Sequence, residues 1–208
     1  MLFLNEEKLN LAEVKKEFFP YFHVENALSQ ELDSLDLIND FPDIESGGSF
    51  PSDDLAEGFI KQLVQELEGD EFKSILEKKL DIDLQETEVI TTLRGYSRAR
   101  DGKIHTDSQS KVLTVLLYLN KDWKNRIGNL RLLKENNNLE DYIQEISSEY
   151  GNLVAFKVTD NCWHGFMPFE GKRLSIQLNY LYSESLISHK IRHKFSSALK
   201  KLLKGSSN

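Results

Sequence analysis

The sequence predicts a mainly β protein with flanking helices (α+β): a double-stranded β-helix, or jelly roll, with an N-terminal helical layer and a C-terminal helix. Three observations predict this. Apolar residues recur at helical spacing in the first 85 residues. After Asp83 the chain turns to short β-rich segments separated by turn residues. One of these, Arg173-Leu174-Ser175-Ile176-Gln177-Leu178-Asn179-Tyr180, alternates polar and apolar at all eight positions. Such a strand lays one face on an apolar core and the other on something polar.

In chain order, residues 6–18 and 29–38 carry apolar residues at helical spacing and predict two helices, with Ser29 as a cap for the second. A breaker-rich loop spans 41–51. Ser52-Asp53-Asp54 then opens a long predicted helix over 54–80, with Ile60, Leu63, Val64, Leu67, Phe72, Ile75, Leu76 and Leu80 as its stripe. Strands are predicted at 87–99, 111–119, 128–134, 151–158 and 173–182. The stretch 112–119 is apolar nearly throughout, which marks a central strand covered on both faces. Residues 184–204 form a basic amphipathic helix, expected to dock on the outside of the sheet. The expected organisation is one domain over 1–208: a helical layer at 1–85, a jelly-roll core at 86–183 and the terminal helix at 184–204.

Composition narrows the function classes. No stretch approaches the roughly 20 apolar residues of a membrane span. The N-terminus lacks the cationic and apolar regions of a signal peptide. The single cysteine, Cys162, rules out an internal disulfide and fits a reducing, cytoplasmic setting. Residues 1–90 hold 23 of the 34 acids and 7 of the 26 bases, a net −16, which leaves +8 on the remainder. An acidic total of −8 without an aromatic-basic signature argues against a nucleic-acid partner.

The chemistry sits in the second half. His105 and Asp107 are two apart, so on a strand both side chains face the same way. With His164 they supply two imidazoles and a carboxylate, the ligand set of a non-haem iron(II) facial triad with positions left open. Arg173 heads the alternating strand, on the face it shares with Ser175, Gln177 and Asn179. A guanidinium directed into a barrel is costly unless it meets an anion, and a carboxylate held bidentately would satisfy it.

Taken together, these pieces resemble the iron(II)- and 2-oxoglutarate-dependent dioxygenase superfamily, in its prolyl-4-hydroxylase-like branch. The matching run covers about residues 92–182: Arg94-Gly95-Tyr96, His105-Thr106-Asp107, Tyr118-Leu119-Asn120-Lys121-Asp122-Trp123, Gly128-Asn129-Leu130-Arg131-Leu132, Gly151-Asn152-Leu153-Val154-Ala155-Phe156, Trp163-His164 and Gly171-Lys172-Arg173-Leu174-Ser175. Asn129 stands where many members carry a second glycine. The resemblance implies that His105, Asp107 and His164 bind Fe(II). It implies that Arg173 pairs with the distal carboxylate of 2-oxoglutarate, aided by the Tyr118 hydroxyl. Tyr96 would line the cosubstrate or substrate pocket, and Ser175 would touch the cosubstrate. Dioxygen is the other cosubstrate and ascorbate a supporting reductant. The implied reaction hydroxylates a C–H bond and releases succinate and CO2. The substrate stays open between a prolyl residue in a peptide or protein and a small-molecule or sugar-linked metabolite. A non-catalytic, cupin-like jelly roll that binds a ligand is the alternative of another class. The loops around 46–53, 97–103 and 160–170 are expected to shape the substrate grip; Arg98 and Arg100 in the second of these read as solvated loop arginines, with attraction of an anionic substrate as the alternative. The oligomeric state is not legible.

Other candidates carry less. His189 and His193 are four apart, but Lys190, Ile191 and Arg192 between them offer no catalytic glutamate. Cys162 reads as a buried apolar residue. His23, closing the aromatic run from Phe18, has no ligand partner at metal spacing and reads as structural.

Overall fold

The computed structural model of the chain describes residues 1–29, 34–125 and 127–183. Its β-strands are β1 (Tyr21–Val24), β2 (Phe50–Pro51), β3 (Thr87–Ser97), β4 (Lys111–Tyr118), β5 (Leu130–Leu133), β6 (Tyr142–Ile146), β7 (Leu153–Lys157), β8 (His164–Gly165) and β9 (Gly171–Tyr182). They form two sheets with antiparallel pairing throughout, one of six strands ordered β1-β7-β4-β9-β3-β2 and one of three ordered β6-β5-β8. This is the expected mainly β architecture with flanking helices.

The long sheet has two differently covered faces. On one, Leu113, Val115, Leu117, Leu174, Ile176, Leu178 and Tyr180 pack in a single core with the stripe from Ile60 to Leu80. Every side chain of that stripe is buried, each contributing about 1.5–3 kcal/mol before the cost of ordering is set against it. On the other face, Tyr118, Val154 and Phe156 pack with Leu130, Leu132 and Ile146 of the short sheet. The alternation in β4 and β9 therefore divides a helix-backed layer from a space between the sheets.

Several elements differ from the sequence expectation. The helix expected at 6–18 is only α1 (Glu6–Leu11), capped by the Asn5 side chain, which accepts from the Lys8 N–H at 3.0 Å. Pro20 disfavours helix in the residue before it, and the aromatic run becomes β1, paired with β7. The next helix is α2 (Ser34–Asn39). Ser29 instead donates its backbone N–H to Phe3 O at 2.8 Å.

The long helix of 54–80 is two: α3 (Phe59–Glu68) and α4 (Asp70–Leu80), with Ser52–Asp54 only a 3-10 turn. Gly69, extended at φ −73 and ψ 159, separates them. Glycine is a poor helix former, and Asp70 and Glu71 restart the helix where its dipole favours acids. The start of α3 is capped from a distance, by Asp40 accepting the Ile60 N–H at 2.7 Å. The first 85 residues thus supply helices and both edge strands of the long sheet, β1 and β2. Strand β6 was not anticipated. The expected helix at 184–204, with His189 and His193, lies outside the described residues. Among the described residues no helix is long and apolar enough to cross a membrane.

Candidate active site

Pairing register builds the site. Arg94 on β3 lies opposite Ser175 on β9, and Ser175 lies opposite Tyr118 on β4. The three side chains line one pocket of about 200 Å³, closed on its other side by Leu130, His164 and Gly165 of the short sheet. All seven residues singled out from the sequence line it: Tyr96, His105, Asp107, Tyr118, His164, Arg173 and Ser175.

His164 sits on β8, but His105 and Asp107 do not share a strand. His105 makes an isolated bridge to His164, each backbone N–H donating to the other's carbonyl at 3.0 and 2.9 Å. Asp107 follows in the irregular segment before β4. The sequence expectation of a shared strand is corrected to an extended loop pinned beside β8. The outcome for the side chains is the same. One ligating atom from each of His105, Asp107 and His164 lies within 4.8 Å of the others.

The second atoms of these groups are already engaged. His105 Nδ1 lies 2.8 Å from Lys103 O, and His164 Nδ1 lies 2.8 Å from Cys162 O. A carbonyl only accepts, so each Nδ1 carries the hydrogen and Nε2 is the nitrogen left for a metal. Burial, and then the neighbouring His105, lower the His164 pKa to about 4, so it stays neutral at physiological pH. Asp107 accepts from Lys111 Nζ at 2.8 Å and from the Thr114 hydroxyl. Burial pushes its carboxyl up, but Lys111, His164 and these two hydrogen bonds together hold it below the usual carboxylate range.

Arg173 is 6% exposed. Its Nε donates to Gly128 O at 2.8 Å and to Ser148 Oγ at 3.1 Å, and one Nη donates to the Tyr118 hydroxyl at 3.3 Å. The guanidinium carbon lies 4.3 Å from the Phe166 ring centroid and 5.0 Å from that of Tyr118. All these partners are neutral, and no ion pair to Arg173 occurs among the described residues. A buried cation without a counter-charge marks a place prepared for an anion. Burial raises the Tyr118 pKa against the pull of Arg173, so the phenol keeps its proton. Two glycines permit the packing here. Gly102, at φ +81, lies so close to Phe166 that a Cβ would fall 2.5 Å from its ring, and Gly128, at φ +83, would meet Phe169 at 3.0 Å.

The sequence expectation leaves out Lys111, Thr114 and Phe166, places Gln177 on the face of Arg173 without a role, and gives Arg94 no role. Only two of these were detectable: Thr114 shares the inward phase of β4 with Tyr118, and Gln177 that of β9 with Arg173. Of the loop arginines, Arg98 is held by Asp101 through its backbone N–H, Nε and Nη at 2.9–3.2 Å. Asn129 accepts from Trp123 Nε1 at 2.8 Å and the Ser148 N–H at 3.2 Å, fixing the loop that carries Gly128. Cys162 is buried, and its carbonyl, not its thiol, serves the site. His23 bonds Asn152 at 2.8 Å, outside the pocket.

Residues 91–181 match the family model of the 2OG-Fe(II) oxygenase superfamily. This segment belongs to that superfamily. That superfamily is iron(II)- and 2-oxoglutarate-dependent, and the pocket fits both groups: two free imidazole nitrogens and a carboxylate for the metal, and a guanidinium without an ion-pair partner among the described residues for a dicarboxylate. Among solved structures, the chain is similar to a Pseudomonas putida prolyl-4-hydroxylase at 17% identity and TM-score 0.53, covering 78% of this chain and 86% of that one. It is similar also to the viral collagen prolyl hydroxylase of Paramecium Bursaria Chlorella virus-1, at 11% identity and TM-score 0.55, over 80% of this chain and 96% of that one. At these identities the likeness concerns the fold. No curated protein matches the chain.

Proposed function

We propose that this oxygenase hydroxylates a prolyl residue in a peptide or protein. The observation that carries the reading is the meeting, in one pocket, of a three-ligand cluster and a buried guanidinium without a counter-anion. The prolyl assignment draws support from the two similar structures, both prolyl hydroxylases by name. It draws support also from the apolar wall of Leu116, Leu130 and Phe166, which suits a pyrrolidine ring.

His105, Asp107 and His164 would hold iron(II). Bound there with 2-oxoglutarate and dioxygen, it supplies the oxidising power that turns a C–H bond into C–OH as 2-oxoglutarate leaves as succinate and CO2. The carbonyls of Lys103 and Cys162 fix the imidazole tautomers, and Thr114 and Lys111 orient the carboxylate. Arg173 would take the distal carboxylate of 2-oxoglutarate with the Tyr118 hydroxyl beside it, and Ser175 would flank the same site. Phe166 and Leu130 exclude water around it.

The test is turnover of 2-oxoglutarate by the purified protein with Fe(II) and ascorbate, in the presence of prolyl peptides. Succinate, a peptide mass gain of one oxygen, and loss of both in His164→Ala are expected. Metal binding without any succinate would leave a ligand-binding jelly roll instead. Succinate without a modified prolyl residue would move the substrate to a small metabolite.

A further inference from the structure

Arg94 is the pocket cation that the roles above leave unused. It lines the metal pocket and also a neighbouring hollow of about 100 Å³. The hollow shares Lys111 and Gln177 with the pocket and is bounded by Ser49, from the loop before β2. These three shared side chains form a sill between the two spaces.

The charges on this sill do not balance. The pocket's two carboxylates are Asp101 and Asp107. Asp101 is committed to Arg98, and Asp107 to Lys111 and Thr114. No ion pair to Arg94 occurs among the described residues. Loading the site does not change this, because the charges of iron(II) and of the 2-oxoglutarate dianion cancel. Arg173 is buried, whereas Arg94 is exposed. Loss of hydration lowers its pKa, Asp101 opposes this, and Arg173 and Arg98 add to the lowering. Lining two adjoining hollows, Arg94 is set in a concave wall, where an arriving anion gains more than it would on an open surface.

We propose that the sill binds an anionic group of the substrate, a carboxylate in a peptide substrate, and that Arg94 is its specificity-determining residue. Gln177 offers an amide donor on the same sill, while Lys111 beside it is paired with Asp107. The inference rests on the hydroxylase reading and names which substrates that site prefers.

The test uses the protein loaded with manganese(II) and 2-oxoglutarate. The probes are prolyl peptides in matched pairs, Glu against Gln and Asp against Asn, at each position flanking the proline. Calorimetric affinity is the first readout and hydroxylation with iron(II) the second. The acidic member of a pair is expected to bind about tenfold more tightly at one position, a difference of about 1.4 kcal/mol. Arg94→Met abolishes that ratio, Arg94→Lys keeps most of it, and Arg94→Glu turns it toward peptides with Lys at the same position. Equal affinities within every pair, silence of all pairs included, overturn the proposal, as does a ratio that survives Arg94→Met. Weaker 2-oxoglutarate binding by Arg94→Met with an unchanged ratio places Arg94 on the cosubstrate and overturns it too. Wild-type protein that forms succinate without an acidic preference rejects this inference alone, whereas wild-type protein that forms none rejects the hydroxylase reading.

Discussion

On β9, the side chains of Leu174, Ile176, Leu178 and Tyr180 belong to the core shared with α3 and α4, while those of Arg173, Ser175 and Gln177 line the pocket. The backbone is the same, and both faces are largely buried. They differ in what burial does. On the helix side, removing apolar area from water stabilises the fold. On the pocket side it strips water from a guanidinium, a hydroxyl and amides, which costs stability unless partners replace the water. Arg173 recovers hydrogen bonds from Gly128, Ser148 and Tyr118 but no counter-charge. One face holds the protein together, and the other is held ready for a ligand.

Substitutions on the two faces should therefore separate stability from binding. The largest effect is expected on the pocket face. Arg173→Met should weaken 2-oxoglutarate binding by about 2–5 kcal/mol, read by calorimetry, without lowering the melting temperature of the metal-free protein. A lowered melting temperature with intact affinity would erase the contrast. On the opposite face, Ile176→Ala should cost about 2–4 kcal/mol of stability in denaturant titration, while the affinity of the folded fraction for 2-oxoglutarate stays as it was.

The pocket face should also give the metal-free protein a pH dependence. His164 is neutral in the fold down to about pH 4, whereas in the unfolded chain it takes a proton near its ordinary value of 6.5. Between those limits the unfolded state binds the extra proton, so stability is full above about pH 6.5 and falls as pH drops toward 4. The loss is about 3 kcal/mol. Urea titrations across that range should show this slope, and it should be flatter in His164→Gln. The smallest effect concerns orientation alone. Thr114→Val keeps the side-chain shape and removes the hydroxyl that donates to Asp107, so metal affinity should fall about 10- to 100-fold. An unchanged affinity would mean that Lys111 alone sets the carboxylate.

Much of this was legible in the sequence where the signal is periodic. The stripe from Ile60 to Leu80 and the alternation of β9 both appear as read, because each side chain's face follows from its position along a regular element. Boundaries were less legible. The break at Gly69 interrupts neither the apolar stripe nor the run of helix formers around it, and the cap for α3 comes from Asp40, twenty residues upstream. Strand β6, Tyr142-Ile143-Gln144-Glu145-Ile146, is short and half polar, and gains its identity only by pairing with β5. The aromatic run at Tyr21 likewise becomes a strand only because β7 offers it an edge.

At the site, the sequence by itself determined the donor types, the cation on the alternating strand and the family they resemble, since these depend on identity and spacing. The tertiary structure decided the rest. It set His105 against His164 through an isolated bridge, and placed Asp107 in the loop that follows rather than on one strand with His105. It assigned Asp101 to Arg98 and Asp107 to Lys111, and so left Arg173 and Arg94 without a carboxylate partner among the described residues. Which face a side chain takes is a local property of the backbone repeat. Which charge is neutralised depends on groups brought together from distant parts of the chain, and only the folded arrangement specifies that.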